Sequence, residues 1–154
     1  MTESQLKIFK PVFTNTVFTI KACSGQRKIC NAREVFKSGI DPDFENFGLN
    51  KPGKPTVKIV PVAYRLQGDF VFSDENWDKF FTQDQIVGFC IKYPDFFPAV
   101  TVTLFPLEDG GEHFVVRVSA CSDGLRVNVL RFKDAAVWVA ERSDRLVVPQ
   151  PLVP

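Results

Sequence analysis

The clearest pattern along the chain is an alternation of apolar and polar residues between positions 100 and 129. Val100, Val102 and Leu104 alternate with Thr101 and Thr103; Phe114, Val116, Val118 and Ala120 alternate with Val115, Arg117 and Ser119; Leu125, Val127 and Val129 alternate with Arg126 and Asn128. A period of two sends successive side chains to opposite sheet faces, so each run predicts a strand with one face for a core. Between the runs stand Asp109-Gly110-Gly111 and Asp123-Gly124, residues that accept positive φ in tight hairpin turns. The adjacent apolar pair Val129-Leu130 breaks the alternation and predicts a β-bulge. Past Phe132, the Val-rich stretch 135–151, with its polar midpoint Ser143-Asp144 and closing prolines, predicts another hairpin rather than a helix.

Upstream the pattern is less regular. Residues 6–22 are rich in Phe, Val, Ile and Thr, which sit well on a pleated surface, and predict two strands or one broken strand. Pro11 confines the first piece to an edge or a bend. Residues 56–67 predict a further strand, and residues 69–72, after the Gly68-Asp69 turn signal, its hairpin partner. Helix signals lie between these. Asn31 followed by Glu34 has capping-box spacing, and Gly39 stands where a helix C-terminus takes a left-handed residue, so 32–38 reads as a short helix. Asp41-Pro42 is an N-cap with Pro at the first helical position, and Gly48 closes that turn or two. Ser73 or Asp74, then Thr82 with Gln85, cap a helical hairpin or bent helix over 75–92 that Tyr93-Pro94 must end. Together these elements predict an α+β fold with two or three short helices on one face of an antiparallel, meander-like sheet, open or barrel-like. The fold is read as a single domain over 1–154 with a Pro-rich tail at 149–154.

Bulk composition agrees with one domain. A chain of 154 residues, 45% hydrophobic and with sixteen Phe, can fill a core without disulfide or metal staples. No run approaches the roughly 18 apolar residues of a membrane span, and Met1 to Gln5 lacks the features of a signal peptide, so the expectation is a cytoplasmic protein with no membrane partner. Four irregularly spaced cysteines predict free thiols in that compartment. The net charge of +1 conceals an asymmetry: residues 1–68 carry eleven Lys/Arg against five Asp/Glu, residues 69–154 eight against thirteen. Such an imbalance marks a surface for a charged partner unless the two halves interleave in the fold.

Candidate chemistry mostly fails on spacing. His113, the only histidine, lies eight residues before Cys121, roughly 26 Å along one strand at about 3.3 Å per residue, too far for proton transfer. Gly48, Gly53 and Lys54 match a phosphate loop until Pro55 stands where a hydroxyl must meet magnesium, and Pro52 and Pro55 remove amide donors. The segment 41–48 has neither the glycine nor the bidentate Glu of a calcium loop, and the cysteines offer no zinc spacing. Asp74, Glu75 and Asp78, like Glu108, Asp109 and Glu112, sit at helix starts and turn tips, where caps explain them. Cys23 and Cys30 bracket Arg27 and Lys28, whose charge favours thiolate, and are the candidate redox thiols. No catalytic residue, metal site, cofactor or small-molecule ligand is expected.

Two functional readings follow. The first is a non-enzymatic macromolecular interaction module, of the small accessory, inhibitor or assembly kind that phages and mobile elements encode. It would bind a protein partner or itself through an apolar patch of Phe80, Phe81, Tyr93, Phe96 and Phe97. The alternative is single-stranded nucleic-acid binding by the basic, aromatic-interleaved N-terminal half, through Lys7, Phe9, Lys10, Arg27, Lys28, Lys51, Lys54 and Lys58.

Overall fold

A computed structural model describes residues 9–12, 15–48, 55–66, 70–134 and 145–149. Its strands are β1 (Phe9–Pro11), β2 (Gly39–Ile40), β3 (Val62–Leu66), β4 (Thr103–Asp109), β5 (Glu112–Cys121), β6 (Gly124–Arg131) and β7 (Arg145–Val148). They form one open sheet in the order β1-β3-β7-β4-β5-β6-β2. The antiparallel meander is therefore confined to β4-β5-β6, and the sheet as a whole is mixed and does not close into a barrel: β2 runs parallel to β6, and β7 runs parallel to β4 and antiparallel to β3. Of the hairpin expected beyond Phe132 the described part is β7, which is hydrogen-bonded to β3 on one side and to β4 on the other. Residues 135–144 and 150–154 lie outside the described residues.

The two predicted tight turns form as read. Gly110 and Gly111 hold φ of 61° and 82° between β4 and β5, and Gly124, at φ 136°, follows the turn into β6. Register runs unbroken from Phe114 opposite Arg131 to Cys121 opposite Gly124, so the bulge at Val129-Leu130 is absent. The reason is that both sheet faces are covered, which gives an apolar residue a place on either side. One face carries Ala63, Phe105, Leu107, Phe114, Val116, Val118, Val127 and Val147, packed under the helix and the N-terminal loops. The other carries Phe9, Tyr64, Leu104, Val115, Leu146 and Val148, packed under Phe70, Phe72, Trp77 and Phe132. Leu130 pairs with the buried Val115 on this second face. Strand β4 also starts later than predicted, since Val100 is 93% exposed.

Pro106 sits inside β4, where a central strand ordinarily excludes proline. Beyond Leu104 the pairing with β7 ends, and the carbonyl of Pro106 instead accepts from the Phe81 amide at 2.8 Å, followed by Glu108 N to Phe81 O at 3.1 Å. The missing amide hydrogen therefore points to the side where the ladder changes partner, not toward β5.

Among the described residues one α-helix forms, α1 (Gln83–Lys92), with single 3-10 turns at 29–31, 42–46, 94–96 and 132–134. The Thr82–Gln85 capping box is present in both directions, and the helix stops at Tyr93-Pro94 as expected. Asp41 caps the turn at Pro42 by accepting from the Asp43 amide. The helix predicted over 32–38 is absent: Ser38 N donates to Leu125 O, and Gly39-Ile40 is drawn onto β6, a tertiary pairing that overrides a weak seven-residue signal. The first half of the 75–92 helix is absent too. Asn76 closes a turn on Ser73, and Phe81 bridges Leu107 in extended form, which sends Phe80 and Phe81 to opposite faces of the sheet. Residues 70–72 do not pair with β3 as a hairpin, because β1 and β7 occupy its two sides; the expected turn at Gly68-Asp69 lies outside the described residues.

Candidate anion-binding site

Strand register assembles a site that no local segment contains. Lys10 on β1 is directly opposite Arg65 on β3, and Arg65 is directly opposite Arg145 on β7. Opposed residues of antiparallel strands project from the same face with Cβ atoms about 4.5–5.5 Å apart. Three cations thus stand in one row, on the face shared with Ala63 and Val147. Like charges placed this way repel, and the strands pair because Phe9, Tyr64 and Leu146 bury the opposite face. Lys10 and Arg65 are exposed, and neither makes a hydrogen bond or ion pair among the described residues. Arg145 is half-buried: its Nη1 donates to Phe96 O at 2.9 Å and its guanidinium lies 5.2 Å from the centre of the Phe96 ring. Burial, and after it the Arg65 charge, pull the Arg145 guanidinium below the usual arginine range. The row continues onto β4 at Thr103, which is 0% exposed and whose Oγ1 has no hydrogen-bond partner among the described residues.

Beside the row lies an aromatic pocket of about 270 Å³, lined by Thr16, Phe18, Lys92, Tyr93, Pro94, Asp95 and Phe96. The end of α1 builds it. Tyr93 terminates the helix, and its hydroxyl accepts from the Thr19 amide at 2.9 Å. Phe18 meets Tyr93 and Phe96 edge-on, with ring centres 5.0 and 5.4 Å apart. Lys92 Nζ donates to Thr19 O at 3.1 Å and sits 5.4 Å from the Tyr93 ring centre. Phe96 belongs to both parts, as pocket wall and as the ring under Arg145.

The residues singled out in the sequence distribute unevenly over this site. Lys10 is in it; Lys58 is exposed but outside the row, Lys28 is half-buried, and Phe9 is core on the opposite face. Lys7, Lys51 and Lys54 lie outside the described residues. Of the residues of the expected apolar patch, Phe81, Phe96 and Phe97 are buried and Phe80 and Tyr93 half-buried. Fourteen of the fifteen Phe side chains among the described residues are buried, so aromatic excess is core packing. Cys23 and Cys30 are half-buried free thiols, Cys23 against the Thr56 hydroxyl and Cys30 at 3.7 Å from Asn31 Oδ1. Arg65 and Arg145 went unnoticed because nothing local marks them; only the pairing of strands 80 residues apart brings them together.

Arg27 belongs to a different arrangement. The first turn of α1 buries Gln83, Asp84 and Gln85 in succession. Asp84 accepts from the Gly25 and Gln26 amides at 2.7 and 3.1 Å and from Arg27 Nε. Gln83 accepts from Ile29 N and donates to Gly48 O and Asp109 Oδ1, while Gln85 donates to Val57 O. Burial works to raise the Asp84 carboxyl, but the Arg27 hydrogen bond and charge, with the Arg27 and Gly25 backbone donors, outweigh it and hold the carboxyl below its ordinary value of 3.8. Gly88 leaves the necessary room, since a Cβ there would stand 3.0 Å from Arg27 Nη2.

His113 and Cys121 occupy opposite ends of β5. The imidazole stacks on Phe80 with ring centres 4.1 Å apart, and its nitrogens face Asp74 and, at 3.4 Å, Glu108. No thiol is in that group, and among the described residues no three His, Cys, Asp or Glu side chains are grouped to hold a metal ion. No helix among the described residues is long and apolar enough to cross a membrane. Compared with protein-family models, with curated protein sequences and with solved structures, the chain matches none.

Proposed function

We propose that this protein is a non-catalytic interaction module that binds single-stranded nucleic acid, with the Lys10–Arg65–Arg145 row along its phosphates. The observation that carries this reading is the row itself: three cations on adjacent strands, two of them exposed and without acidic partners among the described residues. A polyanion converts their mutual repulsion into attraction, because each phosphate neutralised also releases condensed counterions. A chain of net charge +1 offers little diffuse attraction, so binding has to come from a local concentration of charge such as this. The two halves interleave, with N-terminal strands in the sheet beside β7 and β6, so the support is the row itself, which draws Arg145 from the second half, and not the imbalance between halves. A protein-docking patch loses its motive with the burial of its aromatics.

Fluorescence-anisotropy titration of a labelled single strand at several salt concentrations tests this. Three neutralised phosphates give a log–log salt slope of about −2, and replacing both Lys10 and Arg65 by Gln brings it to about −1. No binding at low salt, or the same slope in the double variant, would dismiss the reading.

A further inference from the structure

The pocket at the end of α1 has a chemistry of its own. Three of its seven lining residues are aromatic, and beside the exposed Thr16 two exposed charged groups stand at its rim: the Asp95 carboxylate, which makes no hydrogen bond or ion pair among the described residues, and the Lys92 ammonium. The first only accepts hydrogen bonds and the second only donates, with N–H groups to spare beyond its bond to Thr19 O. At about 270 Å³ the pocket is smaller than the roughly 300–1,000 Å³ of drug-sized ligand sites, which suits one planar ring system. It also adjoins the cation row through a single shared ring, Phe96.

Resting on the nucleic-acid reading above, we propose that this pocket receives one unstacked guanine base of the bound strand. Aromatic walls take the base face, as they do in single-strand binding generally. The edge decides which base. Guanine presents two neighbouring donors, N1–H and the N2 amine, to a carboxylate, and next to them the O6 acceptor to an ammonium. Adenine and cytosine offer one amine beside a ring-nitrogen acceptor that a carboxylate repels, and thymine offers one N–H between two carbonyls. Asp95 and Lys92 thus match guanine with both polar groups satisfied, and Arg145 over Phe96 stands where the adjoining phosphate leaves the pocket.

The test uses a short labelled thymine strand with one central guanine, against the same strand carrying adenine, cytosine or an abasic position there. The guanine strand should bind about tenfold tighter than the others, in line with a two-bond base-edge contact. In Asp95→Asn, where an amide replaces half the carboxylate, the ratio of guanine to thymine affinities should fall to about one. Equal affinity for all four strands would overturn the pocket assignment while leaving the phosphate reading in place; no binding by any strand would overturn both. A ratio unmoved by Asp95→Asn would overturn the edge assignment. Displacement of the strand by an equal concentration of guanosine monophosphate would make this a mononucleotide site and overturn the assignment to a strand.

Discussion

Arg27 and Arg65 are both exposed arginines in the N-terminal half, yet their surroundings are opposite. Arg27 reaches a fully buried carboxylate that also takes two backbone amides, and through them it fixes the loop at 24–29 to the start of α1. Arg65 faces Lys10 on one side and Arg145 on the other. The first charge answers a requirement of the fold, since the buried Asp84 needs every donor it has. The second adds repulsion that the fold tolerates and does not need. Charges kept against the interest of stability are the ones to examine for function, and that contrast separates two kinds of site on one small sheet.

The contrast can be broken most severely at Asp84. Asp84→Ala strands the Gly25 and Gln26 amides and the Arg27 guanidinium, and should lower the unfolding free energy in urea by about 3 kcal/mol. A loss under about 1 kcal/mol would show that the network does not hold the loop. Acid should do the same more gradually. Because the folded Asp84 carboxyl lies below its unfolded value of 3.8, its contribution is complete above that value and lost as pH falls through the folded one. The urea midpoint of the native chain should therefore drop more steeply below about pH 4 than that of Asp84→Asn, and parallel acid profiles would exclude Asp84 as the source. The smallest effect has the opposite sign. Arg65→Gln removes repulsion from both neighbours, and should raise stability by about 0.5 kcal/mol while weakening oligonucleotide binding. Destabilisation by that substitution would mean that Arg65 serves the fold after all.

What could be read from the sequence was what is local. The β4-β5-β6 meander follows from alternation punctuated by Gly110, Gly111 and Gly124, and α1 from the Thr82–Gln85 box. Asn31 and Glu34 carry the same capping spacing, but β6 needed an edge partner and took residues 39–40 as strand. Leu130, beside Val129, looked like a fault in a one-sided pattern and is a regular position of a two-sided sheet, opposite the buried Val115. The buried polar triplet Gln83-Asp84-Gln85 carried no burial signal, because polar residues at a helix start are ordinarily solvated. Of the cation row only Lys10 was legible, since its partners join it by pairings over some 55 and 80 residues whose register has no local cause.

Strand β7 is the last of the described strands along the chain and lies near the middle of the sheet, between β3 and β4. During synthesis, β1-β3 and the β4-β5-β6 meander therefore leave the ribosome as two unjoined pieces, each with an uncapped edge. Among the described strands only the arrival of Arg145–Val148 links them, so completion of the sheet waits on contacts of long sequence separation. Until then the nascent chain carries two open edges available to other strands, and aggregation competes with folding at that stage.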